Sequence, residues 1–141
     1  MNDALDPILL IEDRAIDRDL TKRAFARRGL LNPFQVARDG EEALDYIRRW
    51  DAGETPPAFI LLDLKLPKVS GLEVLRQVKN HPRFCAIPVI VLTTSDEDRD
   101  VQEAYRLGCN SYVLKPIQFN KFTEIASQIE SYWCALNMTP R

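Results

Sequence analysis

Residues Phe59 to Lys68 read FILLDLKLPK, an apolar run broken at its centre by an aspartate. Phe59–Leu62 has the unbroken hydrophobicity of a strand covered on both faces, as in the middle of a parallel sheet. Asp63 ends it, and a carboxylate there costs free energy to bury unless something compensates it. Four more short apolar runs flank this one: Ile8–Ile11, Phe34–Ala37, Val89–Leu92 and Ser111–Leu114. Amphipathic stretches follow them in turn at Ile16–Arg28, Glu41–Trp50, Leu72–Lys79, Glu97–Leu107 and Phe119–Leu136. Five repeats of strand then helix, with short connections, predict an α/β fold with a parallel sheet covered on both faces. Gly29 and Gly108 fall where helix ends favour φ > 0. Pro7 and Pro88 stand just before strands, and Ser95-x-x-Asp98 resembles a capping box ahead of the fourth helix.

The bulk numbers narrow the function. At 141 residues the chain is read as one domain, 1–141, able to bury a core without staples. Its 45% hydrophobic and 28% charged residues are those of an ordinary globular protein, and a net charge of −2 argues against nucleic acid or anionic membrane as a partner. The arginine pairs Arg27-Arg28 and Arg48-Arg49 are read as solvated helix faces. No apolar run approaches the roughly 20 residues that span a bilayer. MNDALDP lacks the regions of a signal peptide, so the expected compartment is the cytoplasm. Cys85, Cys109 and Cys134 are far apart and read as structural thiols. His81 is the only histidine, which leaves no triad or zinc cluster to build. The five glycines are too scattered for a dinucleotide or Walker loop.

All strands of a parallel sheet end along one edge, where ligands bind. After the first strand come Glu12 and Asp13, and after the third, Asp63. Thr93, Thr94 and Ser95 follow the fourth, and Lys115-Pro116 the fifth. The second ends in Arg38-Asp39-Gly40, a polar turn. Three acids, a hydroxyl and an amine are thus predicted to converge. Clustered carboxylates repel one another, and a hard cation such as Mg²⁺, with oxygen ligands and several waters, relieves this. Lys115 offers a compact charge to phosphate oxygens and Thr93 a neutral hydroxyl. With no Cys or Ser placed against a base, the candidate nucleophile is the Asp63 carboxylate, and catalysis becomes positioning and charge neutralisation. Singly, each residue also has a plain reading as a strand-end acid, a strand residue or a surface lysine.

The segments ILLIED, FILLDLKLPKVSG, IPVIVLTTS and SYVLKP, in this order and spacing, resemble a response-regulator receiver domain over nearly the whole chain. The resemblance implies a flavodoxin-like, doubly wound (βα)5 fold with strand order 2-1-3-4-5. It implies that Asp63 accepts phosphate from a histidine kinase or phosphotransfer protein, with no multi-turnover enzyme activity. It further implies Mg²⁺ held by Asp13, Asp63 and the backbone carbonyl of Lys65, with Glu12 acting through water. Thr93 and Lys115 would contact the phosphoryl oxygens, and Tyr112 would change rotamer as Thr93 moves. Lys65 and Ser95 occupy positions that tune the phosphate's lifetime. The family commonly holds the bond matching Lys115-Pro116 cis.

The insertion Asp51–Ala58, the wording ILLDLKLPKVSG and VLTTS, and the ending IESYW resemble receivers that partner phytochrome-type histidine kinases. A receiver of another kinase, or a phosphorelay shuttle, is the alternative. Haloacid-dehalogenase-type phosphatases also use a strand-end aspartate, but they resemble Asp-x-Asp, and Lys65 fills the second acid's place. The last helix continues its apolar pattern through Tyr132, Trp133, Leu136 and Met138, beyond the core expected at about 7–131. Aromatics and Met favour interface centres, so the extension 132–141 is expected to hold a homodimer, the alternative being that it folds back over its own domain.

Overall fold

The computed structural model describes the backbone of residues 6–136 and the side chains of 6–133. Its strands are β1 (Ile8–Ile11), β2 (Phe34–Ala37), β3 (Phe59–Leu62), β4 (Val89–Thr93) and β5 (Ser111–Leu114). They form one parallel sheet in the order β2-β1-β3-β4-β5. The helices are α1 (Ala15–Arg27), α2 (Gly40–Asp51), α3 (Gly71–Lys79), α4 (Asp98–Arg106) and α5 (Phe119–Ile129), the last running on into a π-helical turn at Glu130–Leu136.

Alternation along the strands divides the core in two. Leu9, Ile11, Ile60, Leu62, Val89 and Val91 pack with Ile47 and Trp50 of α2, Val74, Leu75 and Val78 of α3, and Ala104 of α4. Ile8, Leu10, Phe59, Leu61, Ile90 and Leu92 face the other way, onto Ala24 and Phe25 of α1 and Phe122, Ala126 and Ile129 of α5. All of β1, β3 and β4 is buried, while the edge strands β2 and β5 are half covered. Each fully buried Leu or Ile in the middle strands contributes about 1.5–3 kcal/mol by leaving water. This is why their unbroken apolar runs could only be central.

Several details differ from the expectation. β4 runs one residue further, to Thr93, because that residue still pairs with Leu114. Asp39 is no mere turn residue: it caps α2 by accepting from the Glu42 N–H at 2.8 Å. Ser95 does not cap α4, whose N-cap is Glu97 without a side-chain bond; the Ser95 hydroxyl is drawn to Asp100 instead, at 2.6 Å. No peptide bond among the described residues is cis, Lys115–Pro116 included. An X–Pro amide prefers trans by about 0.5–1 kcal/mol, and this bond follows that preference. Trp133 packs against the α1/α5 side of its own domain, and its ring meets Tyr132 edge-on at 4.8 Å. Tyr132 is 49% exposed. The Leu136 side chain and Met138 lie outside the described residues.

Candidate functional site

The strand order reverses at β1, so β1 lies between β2 and β3 and the connections leave in opposite directions. Ile11 is paired with Leu62, and the Asp63 N–H donates to the Ile11 carbonyl at 3.0 Å. Glu12 and Asp63 thereby leave the sheet side by side, though 51 positions apart along the chain. Gly71, at the start of α3, presses against the backbone just past the strand. A Cβ there would lie 2.3 Å from the Asp63 carbonyl oxygen and 2.5 Å from the Leu64 Cα, so only glycine fits. Its N–H donates to the Leu64 carbonyl at 3.1 Å, closing the loop that carries Lys65.

Asp63 is 5% exposed, and both its oxygens are engaged. Oδ1 accepts from the Thr93 hydroxyl at 2.8 Å and from the Lys65 N–H at 3.2 Å. Oδ2 accepts from the Lys115 ammonium at 3.0 Å. The same Nζ donates to Asp17 Oδ2 at 2.9 Å and to Glu12 Oε1, so its three protons all meet carboxylates. Asp13 stands exposed at the rim, yet one oxygen each of Glu12, Asp13 and Asp63 lies within 4.8 Å of the others. A set of hard oxygens carrying more negative than positive charge suits a small divalent cation that keeps several waters. The residues present fit Mg²⁺.

Burial pushes the Glu12 carboxyl up from 4.5 to about 7, against the hydrogen bond from Lys115 and with the charge of Asp63 adding to the rise. Burial also opposes the Lys115 charge, but the bonds to Glu12 and Asp17 and the charge of Asp63 outweigh it, and its pKa goes up. The ammonium is charged at any physiological pH.

A second layer steers these groups. The Tyr112 hydroxyl donates to the Ser95 carbonyl at 2.8 Å, so the aromatic is turned inward. The Ser95 N–H faces the Thr93 hydroxyl at 3.5 Å. Arg18 Nη1 donates to the carbonyls of Glu12 and Asp13 at 3.0 and 2.9 Å, tying α1 to the acidic pair. Glu12, Asp13, Asp63, Thr93 and Lys115 are thus brought together, with Lys65 beside them and Tyr112 one residue away from Thr93 through Ser95. Tyr132 and Trp133 sit at the far end of α5 and take no part. Arg18 and Asp17 escaped the sequence reading, because α1 residues show no strand-end position to mark them.

Over 141 residues the chain is 45% identical to "Probable methanogenesis regulatory protein FilR2" of Methanothrix harundinacea, covering 98% of this chain and 91% of that protein. It is 36% identical to "Response regulator Rcp1" of Synechocystis over 138 residues, 94% of each chain; a solved form of Rcp1 is Mn²⁺-bound and superposes with a TM-score of 0.86, at 33% identity over 96% of this chain and 99% of that one. The structure also matches the phosphorylated cyanobacterial phytochrome response regulator RcpA, with a TM-score of 0.89 and 36% identity over 96% of this chain and 99% of that one. No helix among the described residues is long and apolar enough to cross a membrane. Residues 8–127 match the response regulator receiver domain, and with a five-stranded sheet of order 2-1-3-4-5 bearing its acids at one edge, the chain belongs to that family.

Proposed function

We propose that Asp63 accepts a phosphoryl group from the phosphohistidine of a kinase or phosphotransfer protein. The observation that carries this is a buried aspartate at a strand end with each oxygen already held, one by Thr93 and one by Lys115. A carboxylate oxygen of Asp63 forms the new P–O bond as the donor's P–N bond breaks, and the electron pair stays on the imidazole nitrogen. The Lys115 ammonium and the Thr93 hydroxyl follow the phosphoryl oxygens. Asp13, Asp63 and the Lys65 carbonyl would hold Mg²⁺, with Glu12 acting through water. When bound, that ion neutralises charge developing on the phosphoryl oxygens. As the hydroxyl of Thr93 leaves Asp63 for the phosphate, its link through Ser95 to Tyr112 carries the change to α4 and β5. Hydrolysis of the acyl phosphate is slow and single-turnover, since Lys65 occupies the place where a dehalogenase-type phosphatase has its second acid.

The donor is read as a phytochrome-type histidine kinase, so the chain works in the cytoplasm, where such a kinase would draw on ATP. The name of the phytochrome response regulator RcpA supports this. FilR2 is as full a match and is named for methanogenesis, which favours a non-phytochrome kinase as the second reading. A phytochrome kinase loaded with labelled ATP should pass label to this chain, and to none of an Asp63→Asn variant. Labelling by acetyl phosphate alone would keep the phosphoacceptor and sink the phytochrome pairing. Equal labelling of Asp63→Asn by the kinase would sink Asp63 as the acceptor.

Residues 7–131 serve as the receiver core, and 132–141 as an extension that pairs two copies. Tyr132 supports this with an exposed ring at a helix end that would otherwise be polar. Trp133 gives less support, because it is half covered by its own domain. Deleting residues 133–141 should convert a dimer to a folded monomer by light scattering; a dimer that survives the deletion refutes the arrangement.

A further inference from the structure

The Lys115 ammonium has three protons, and its three acceptors differ in kind. Glu12 and Asp63 belong to the acidic cluster whose oxygens lie within 4.8 Å of one another. Asp17 stands outside that cluster, on the first turn of α1, and bonds Nζ at 2.9 Å. Its side chain is 15% exposed and that of Lys115 is 5% exposed, so the bond is shielded from water. Thr21, one turn on, donates its hydroxyl to the Asp17 carbonyl at 2.7 Å, which fixes the main chain of α1 at that position. Arg14 approaches the same carboxylate, but only to 3.9 Å. Lys115 is therefore the close cation of Asp17.

A cation in the cluster draws on Glu12 and Asp63, and a phosphoryl group on Asp63 changes that acceptor again. Of the three carboxylates on Nζ, Asp17 alone is left unchanged by either event. We propose that Asp17 is a positioning residue, which anchors the Lys115 ammonium beside Asp63 while the other two protons pass to phosphoryl oxygens. This rests on the phosphoacceptor reading above. Without the anchor, Nζ leans on Glu12 and Asp63, where it competes with the metal, and it is no longer held in line with the incoming phosphorus. Losing a shielded, charge-assisted bond of this kind corresponds to about a tenfold effect.

Uptake of phosphate from acetyl phosphate with Mg²⁺, followed by intact mass, is the first measurement, and Mg²⁺ calorimetry without donor the second. Asp17→Ala should slow uptake about tenfold, and Asp17→Asn, which keeps an acceptor but no charge, should slow it less. Both should bind Mg²⁺ more weakly than wild type. In a Lys115→Ala background, Asp17→Ala should alter neither quantity appreciably, because the group it acts through is gone. An unchanged uptake rate in Asp17→Ala overturns the proposal. So does the same tenfold loss in the Lys115→Ala background, which would place the effect in the end of α1 or in the general field. A wild-type chain that takes up no phosphate fails differently: it overturns the phosphoacceptor reading itself, and this inference with it.

Discussion

The two edges of the sheet each hold a lysine drawn in from solvent, and they use the same three protons differently. At the edge where the strands begin, Lys79 donates to the carbonyls of Cys85 and Ile87 at 3.0 and 2.8 Å and to Asn110 Oδ1 at 2.9 Å. Asn110 Oδ1 also accepts from the Val89 N–H at 2.8 Å, so the lysine stitches α3 to the starts of β4 and β5. At the edge where the strands end, Lys115 meets Glu12, Asp17 and Asp63. Burial lowers the Lys79 pKa, whereas the acids around Lys115 raise that of the second lysine. An ammonium among neutral acceptors joins pieces of backbone. An ammonium among surplus carboxylates can exchange one for another anion, and that is the property a phosphate site needs.

Removing Lys115 has the largest effect. Lys115→Ala should slow phosphate uptake from acetyl phosphate about 100-fold, as loss of a charge aimed at the transferring group does. Its Mg²⁺ affinity by calorimetry should hold or rise, since a nearby positive charge opposes the metal. Uptake at the wild-type rate would reduce Lys115 to a structural lysine like Lys79.

Glu12 tests the cost of the acidic edge. Between pH 4.5 and about 7 the folded chain keeps a proton on Glu12 that the unfolded chain has released. This contribution to stability is full below pH 4.5 and is lost as pH rises through about 7. Denaturation without Mg²⁺ at pH 5 and pH 8 should show Glu12→Gln losing less stability than wild type, by up to about 3 kcal/mol. Added Mg²⁺ should restore the wild type by mass action. Parallel pH profiles for the two proteins would mean that Glu12 is already relieved within the fold.

The smallest effect belongs to Lys79. Lys79→Met keeps the stem but leaves carbonyls and Asn110 short of a donor, at a cost of about 1–3 kcal/mol in urea denaturation. Phosphate uptake should be unchanged. A slowed uptake would mean that the two edges are coupled through β4 and β5.

The central strands were legible because a strand buried on both faces has no other way to be written than as a short continuous apolar run. Ile8–Ile11 and Phe59–Leu62 were therefore plain in one dimension, as was the helical spacing between them. Parallel connection then places every strand's end at one edge, so Glu12, Asp13, Asp63, Thr93 and Lys115 could be grouped from order alone. Ser95 was harder. Its spacing to Asp98 matched a capping pattern, but the helix begins after Glu97 and the Ser95 hydroxyl donates to Asp100, a choice set by how the β4–α4 loop turns.

Sequence by itself determined the pattern of strands and helices, the edge on which the chemistry gathers and the charge it carries, because these follow from period, burial and chain direction. Only the tertiary structure decided which carboxylates share the Lys115 ammonium. Asp17 enters from a helix packed against the sheet, at a distance that no spacing along the chain encodes. The partial burial of Trp133 on its own domain was settled in the same way.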